Sequence, residues 1–170
     1  MRMEEGLDTG PVYLQSSVPI AEDATTPVLT EALAQLGSQL LIDVLAALQR
    51  GEASATPQPA EGVTLAPRLR REDGILEWKE HSAVDIDRRV RALQPWPGVT
   101  LPLAGVRVRI LDGTCGDVTG TAEPGTVVRR EVDAVLIAAA DGAYWVHRVL
   151  PPGARPMSAA AFLRGRRVPS

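Results

Sequence analysis

The stretch "VRVRILDG" at residues 106–113 decides how the second half of this chain can fold. Val106, Val108 and Ile110 alternate strictly with Arg107 and Arg109, which is the two-residue period of a strand with one buried face. Aspartate and glycine then end the run with a turn signal. We therefore expect an antiparallel sheet that has one apolar face and one face carrying arginine.

Four further runs of the same kind surround this stretch. Each is short, rich in β-branched or aromatic residues, and bounded by glycine, proline or aspartate. They are "VTLPLAG" at 99–105, "GTVVRREV" at 125–132, "AVLIAAADG" at 134–142 and "AYWVHRVLP" at 143–151. Short strands at this spacing favour a small barrel, and the basic face favours an OB-like barrel. A further short strand is expected at residues 75–78.

Two helices are predicted beside these strands. "SAVDIDRRVRAL" at 82–93 begins with Ser82 as a capping residue and is stopped by the prolines on both sides of Trp96. We expect Trp96 to pack between helix and barrel rather than to stack on RNA. The inward face of this helix should contain Val84, Ile86, Val90 and Leu93. A last helix, "SAAAFLRGRR" at 158–167, should turn Ala and Leu inward and leave Arg164, Arg166 and Arg167 near its end.

The first fifty residues contain one strand candidate, at 11–20, and one helix. Thr26 is a plausible cap with Pro27 at the first helical position, and apolar residues follow at helical spacing from 28 to 48. Gly37 and Ser38 predict a break or kink in the middle. So much apolar surface needs a sheet to pack against, so this segment reads as the end of a domain. The Pro- and Ala-rich stretch at 51–67 predicts an inter-domain linker.

Charge is divided unevenly along the chain. Residues 1–65 contain two basic and nine acidic side chains, a net charge of −7, whereas residues 66–170 contain sixteen basic and twelve acidic ones, a net charge of +4. A basic half favours a phosphate-rich ligand, although ordinary solvated charge gives the same pattern.

Composition limits the class of protein. Apolar residues make up 45% of the chain and charged residues 23%, which argues against disorder and against a coiled coil. The single cysteine, Cys115, cannot form an internal disulfide and suits a reducing cytosol. No unbroken apolar run is as long as a membrane span, and the start lacks the pattern of a secretory signal. We therefore expect a cytoplasmic protein with no membrane partner.

Six motifs in one order carry a resemblance to a known family. They are "MEEGLDTGPVYLQ" at 3–15, "AEDATTPVLTEALAQLG" at 21–37, "LRREDGILEW" at 69–78, "IDRRVRALQPWPG" at 86–98, "PGT" at 124–126 and "PMSAAAFL" at 156–163. In this order the chain resembles the methionyl-tRNA formyltransferases. The resemblance implies a mixed α+β chain in three parts. These are the incomplete end of a Rossmann-like catalytic domain at 1–51, a linker at 52–70, and an OB-fold-like, tRNA-binding domain at 71–170.

The resemblance also implies the chemistry of the first loop. The family transfers a formyl group from 10-formyltetrahydrofolate to the amino group of initiator methionyl-tRNA, and the aspartate of its Asp-Thr-Gly stretch is catalytic. Here that residue is Asp8, with Glu4, Glu5, Gly6 and Leu7 lining the folate pocket. Without the resemblance, the Asp-Thr-Gly sequence at residues 8–10 indicates only a turn.

Asp8 works in the family with an asparagine and a histidine from earlier in the chain. This sequence contains no asparagine, and its two histidines, His81 and His147, fall in the basic half. We expect both to be surface or core residues, with no metal site. The chain alone is therefore expected to be inactive, with the missing half encoded upstream or supplied by a separate chain.

The tRNA-facing residues implied by the resemblance are Arg68, Arg70 and Arg71. The basic strand face would extend this surface through Arg107, Arg109, Arg129 and Arg130, with guanidinium groups binding phosphate. Alternatively, each of these arginines pairs with a neighbouring acid. The candidate acids are Glu72, Asp73, Asp85 and Asp87. No DNA partner is expected. Two other functions stay open, namely a non-catalytic OB-fold module that binds RNA and a formyltransferase of another substrate class.

Overall fold

The computed structural model describes residues 1–117 and 122–166, so the predicted Arg167 lies outside the described residues. The chain divides into two compact units, Met1–Arg68 and Leu69–Ser170. The domain boundaries at 51/52 and 70/71 stay predictions.

The second unit is built on one antiparallel sheet. Its strands are β1 (Val99–Leu103), β2 (Val106–Gly116), β3 (Val127–Arg130), β4 (Val135–Ala138), β5 (Ala143–Leu150) and β6 (Met157–Ser158). Five of them fall where strands were predicted, and β6 was missed because two residues are too short to show a period. The strand order is β1-β2-β5-β4-β3, with β6 pairing with β5.

The sheet is open among the described residues. The strands β1 and β3 end the main strand order, and no described pairing joins them. The OB-like barrel is therefore not confirmed. The structure shows a mixed α/β domain with an antiparallel sheet and helices.

The strand β2 has the two faces that its sequence predicts. Val108 and Ile110 are buried in the core, while Arg107 is exposed and Arg109 half-buried on the opposite face. Adjacent strand β1 places Leu101 opposite Val108 and Thr100 opposite Arg109. The basic face therefore looks away from the core.

Helix α2 (Ala83–Ala92) covers the sheet. The Ser82 hydroxyl accepts a hydrogen bond from the Asp85 backbone N–H at 3.1 Å, as predicted for the cap. Ala83, Ile86 and Val90 are buried. The prediction that Val84 lies on this face is wrong, since its side chain is 49% exposed. At 3.6 residues per turn, Val84 points about 200° away from Ile86.

Trp96 does not pack between the helix and the sheet, so that prediction is wrong. Its side chain is 58% exposed, because Ile86, Val90 and Leu93 already fill the space beneath α2. The buried tryptophan is Trp78, 3% exposed, whose indole N–H donates to the Pro102 carbonyl at 2.7 Å. The strand predicted at 75–78 is only a single parallel bridge from Ile75 to Thr100.

A short helix closes the second unit. Helix α3 (Ala159–Leu163) is capped by the Ser158 hydroxyl. Ala159 and Leu163 are buried, as predicted for an inward face of Ala and Leu, and Phe162, which was not predicted, is buried too. The helix is shorter than predicted. The Arg166 guanidinium donates to the Phe162 carbonyl at 2.5 Å and lies 4.0 Å from the centre of the Phe162 ring.

The first unit contains one long helix, α1 (Thr26–Gln49), with Pro27 in its first turn. The predicted kink is wrong, since the helix is continuous through Gly37 and the Ser38 hydroxyl donates to the Ala34 carbonyl at 2.7 Å. The strand predicted at 11–20 is also wrong. Only Val12 forms a bridge, because the described part of this unit provides no neighbouring strand.

Helix α1 exposes much of its apolar surface. Its exposed large side chains are Val28, Leu33, Leu41, Ile42, Leu45 and Leu48. Among the described residues, it is the one helix long and apolar enough to cross a membrane by length and composition. The sequence contains no unbroken apolar run of this length, because Glu31, Asp43 and several uncharged polar residues interrupt the leucines of α1. Core helices of soluble proteins meet the same criterion, so it is weak evidence for a span.

Candidate active-site loop and arginine surface

The acidic loop at the start of the chain is closed by its own backbone. The Arg2 backbone N–H donates to the Pro11 carbonyl at 2.9 Å. The loop returns so closely that a Cβ on Gly10 would lie 1.8 Å from the Arg2 carbonyl oxygen. Glycine at position 10 is therefore required by the close approach of two backbone segments.

The structure brings all five residues predicted for the folate and catalytic site into this loop. Glu4, Glu5, Gly6, Leu7 and Asp8 are all exposed. Asp8 has a backbone φ of 53°, in the left-handed region that is uncommon for residues other than glycine. Because Asp8 is exposed, its carboxylate is open to solvent.

A residue that the sequence did not single out contacts this loop. The Gln58 side-chain amide nitrogen donates to the Asp8 carbonyl at 2.8 Å and to the Gly10 carbonyl at 2.7 Å. Two residues earlier, Thr56 exchanges a pair of backbone hydrogen bonds with Val12, at 2.8 and 2.9 Å. Gln58 lies in the stretch read as a linker, so composition gave no signal for this contact.

The three arginines of the cluster at 68–71 are exposed. The backbone N–H of Arg70 donates to the Asp73 carboxylate at 2.6 Å, which fixes the 3₁₀ turn Arg71–Gly74 that follows. Within residues 1–117 and 122–166, none of the three guanidinium groups forms an ion pair. Asp73 therefore holds the backbone of the cluster and leaves its cationic groups open to a ligand.

Arg107 and Arg109 are partly engaged. Arg107 donates to the Leu76 carbonyl at 3.1 Å and pairs with Glu77, while Arg109 donates to the Pro95 carbonyl. Each guanidinium has five N–H donors, so both keep donors for a ligand. They line an open groove of about 290 Å³ whose other walls are Thr100 and residues 150–154.

Arg129 and the two histidines have partners of their own. The Arg129 guanidinium lies 4.7 Å from the centre of the Trp145 ring. His81 Nδ1 lies 2.7 Å from the Asp85 carboxylate, and His147 Nδ1 lies 3.4 Å from that of Asp112. Over residues 1–117 and 122–166, no three His, Cys, Asp or Glu side chains are grouped to hold a metal.

Asp85 stands between His81 and Arg89. Burial alone would raise the pKa of the Asp85 carboxyl, but hydrogen bonds from Arg89 and His81 outweigh it and hold the pKa below its usual value. The Arg89 Nε lies 3.0 Å from the carboxylate. His81, Asp85 and Arg89 therefore form one cluster of charged and polar side chains at α2.

The second unit combines an antiparallel sheet, short helices and exposed arginines. Residues 68–167 match the family of formyl transferase C-terminal domains. The chain therefore belongs to the formyl transferase C-terminal domain family.

The similar curated proteins have a more specific name. The methionyl-tRNA formyltransferase of Paramagnetospirillum magneticum is 42% identical over 170 residues, which are 99% of this chain and 54% of that protein. The methionyl-tRNA formyltransferase of Gluconacetobacter diazotrophicus is 44% identical over 169 residues, 99% of this chain and 53% of that protein. The chain thus spans about half the length of the curated relatives it matches.

A solved structure shares the fold. HypX from Aquifex aeolicus, in complex with tetrahydrofolic acid, has a TM-score of 0.73 and 21% identity, covering 98% of this chain and 30% of that one. At this level of identity the likeness concerns the fold alone.

Proposed function

We propose that this chain provides the C-terminal half of a methionyl-tRNA formyltransferase. The complete enzyme would transfer a formyl group from 10-formyltetrahydrofolate to the amino group of initiator methionyl-tRNA. The observation that carries this proposal is the match of two proteins of that name over 99% of the chain, at 42% and 44% identity.

Asp8 is the proposed catalytic residue of this half. It orients the histidine supplied by the other half and helps to remove the proton that the substrate amine loses as it attacks the formyl carbon. The loop backbone at residues 4–7 lines the folate pocket. The open position of the Asp8 carboxylate supports this role.

The proposed tRNA-binding surface consists of the second unit and of Arg68, which directly precedes it in the chain. Arg68, Arg70 and Arg71 contact phosphate, and Arg107 and Arg109 extend the contact along β2. The exposed guanidinium groups of the cluster support this assignment, since each offers paired donors to a phosphate. We place the enzyme in the cytoplasm, with the apolar face of α1 packed against the other catalytic half, in the same or a separate chain.

Formylation is tested with a fusion protein. In it, Met1 of this chain is preceded by the N-terminal region of the Paramagnetospirillum relative, the region that has no match in this chain. The fusion is expected to formylate methionyl-tRNA with 10-formyltetrahydrofolate, while the chain alone is expected to give no product, because the asparagine and histidine are missing from it. Product is measured by acid gel electrophoresis of the tRNA. An inactive fusion, or formylation by the chain alone, would contradict the proposal.

Binding of tRNA by the chain itself is expected to weaken steeply with salt. Replacing Arg68, Arg70 and Arg71 together with alanine should lower the slope of log affinity against log salt by about 2 to 3, because three phosphate contacts are lost. Fluorescence anisotropy with labelled initiator tRNA at several salt concentrations measures this slope.

The matched control replaces three other exposed arginines with alanine, namely Arg148, Arg155 and Arg164. This triple variant loses the same total charge. It should change the slope by less than about 1. Equal losses in the two triple variants would show that overall charge rather than the cluster binds tRNA. Catalysis by the fusion without tRNA affinity in the chain would favour another substrate class, and affinity without catalysis would favour a non-catalytic RNA-binding module.

A further inference from the structure

We propose that Gln58 is a positioning residue that holds the Asp8 loop in its catalytic conformation. The inference rests on the proposed role of Asp8. It assigns a task in the active site to a stretch of chain that composition describes as a linker.

The amide of Gln58 fits the loop in one orientation only. Its nitrogen lies 2.8 Å from the Asp8 carbonyl oxygen and 2.7 Å from the Gly10 carbonyl oxygen. An amide nitrogen carries two hydrogens, one for each carbonyl. The flipped amide would place its own oxygen against two carbonyl oxygens, which repel it. The two hydrogen bonds therefore hold the loop backbone at the Asp8 carbonyl and again two residues later, at the Gly10 carbonyl.

The loop needs such a restraint. Asp8 has a φ of 53°, a conformation that residues with a Cβ adopt at a cost. Residues 1–9 are all exposed, so packing contributes little to holding them. Hydrogen bonds from Gln58 supply the contact that burial does not.

Gln58 is itself held in place. Val12 donates to the Thr56 carbonyl at 2.8 Å, and Thr56 donates back to the Val12 carbonyl at 2.9 Å. This pair of hydrogen bonds fixes the backbone at Thr56, two residues before Gln58. It also fixes the backbone at Val12, directly after Pro11, whose carbonyl closes the loop by its hydrogen bond with Arg2. The returning chain and the loop therefore form one hydrogen-bonded unit within Met1–Arg68.

The first arm of the test uses NMR on the 170-residue chain. Couplings across hydrogen bonds are expected from the Gln58 side-chain nitrogen to the carbonyl carbons of residues 8 and 10. In Gln58→Ala and Gln58→Glu, the Val12 and Thr56 amides should exchange with solvent about tenfold faster or more, because two hydrogen bonds are lost. Gln35→Ala, which removes a glutamine that bonds to Glu31 on the surface of α1, should leave exchange within about twofold.

The amide signals of α1 report whether the first unit of each variant is folded, and those of the second unit serve as an internal reference. Missing couplings in the unsubstituted chain, or unchanged exchange in both Gln58 variants, would overturn the proposal. A Gln58→Ala chain that loses the signals of the first unit altogether is judged by Gln58→Glu and by the couplings of the unsubstituted chain.

The second arm measures formylation by the fusion. Gln58→Ala is expected to lower kcat by about tenfold or more while the KM values for both substrates stay within about twofold, since the residue touches neither substrate. In an Asp8→Asn background the same substitution should cause no further loss, because Gln58 acts through Asp8. A loss carried by KM, or one undiminished in the Asp8→Asn background, would overturn the proposal. If the unsubstituted fusion is inactive, the proposed function fails, and the NMR arm alone decides whether Gln58 holds the loop.

Discussion

Replacement of Asp8 by asparagine is expected to lower kcat of the fusion by about 10²–10⁴-fold, the usual contribution of a positioned acid–base group. The exchange keeps the size of the side chain, and asparagine, like aspartate, tolerates the left-handed backbone found at this position. The loop should therefore keep its conformation while it loses the carboxylate. Initial rates of formylation under saturating substrates measure the effect.

The matched control is Asp23→Asn. Asp23 is an exposed acid of the same unit that lies outside the loop, so the same chemical change there should leave kcat within about twofold. Equal losses at both positions would point to overall charge. An unchanged kcat in Asp8→Asn would show that the carboxylate takes no part in proton transfer. Asp8 would then serve only as a turn residue, as the Asp-Thr-Gly sequence by itself indicates.

Local pattern predicts the sheet well, because the buried face of a strand must repeat every second residue. Val108 and Ile110 are buried as the alternation requires. The same pattern says nothing about which strands become edges. Whether β1 and β3 meet depends on the curvature of the whole sheet, which no single strand encodes.

The error over Trp96 has a cause that lies outside the local sequence. Trp96 was expected inside because prolines flank it at the end of a helix, but the space beneath α2 is filled by helix residues. Filling of a core depends on the sum of volumes and not on one residue's hydrophobicity. The one buried indole, that of Trp78, has a carbonyl partner from β1 that only the folded chain brings near.

The sequence indicates only part of the candidate site. The loop residues are contiguous, so a resemblance finds them together. Their supports are not contiguous: Gln58 lies 50 residues after Asp8, and Arg107 finds its acidic partner 30 residues earlier, at Glu77. Contacts over such separations follow from the path of the chain, and charge patterning had offered nearer acids as partners instead.

Gly74→Ala is expected to destabilise the second unit by about 3 kcal/mol, because it forces two backbone segments apart in a packed site. A Cβ on Gly74 would lie 1.9 Å from the Gly98 carbonyl oxygen. Gly98 cannot retreat easily, since its N–H donates to the Leu93 carbonyl at 2.8 Å. All three tryptophans lie in the second unit, so urea unfolding followed by tryptophan fluorescence reports on this unit alone.

The control for this substitution is Gly105→Ala. Gly105 has a φ of 76° but open space around it, so alanine there should cost only the backbone penalty of about 1–2 kcal/mol. Gly74 ends the turn that begins at Arg71, so its variant should also move the arginine cluster and weaken tRNA binding under conditions where the protein stays folded. A Gly74→Ala protein with unchanged stability would show that the turn and Gly98 are not in contact. Lower stability with unchanged tRNA affinity would mean that the cluster binds phosphate without needing the turn to hold it.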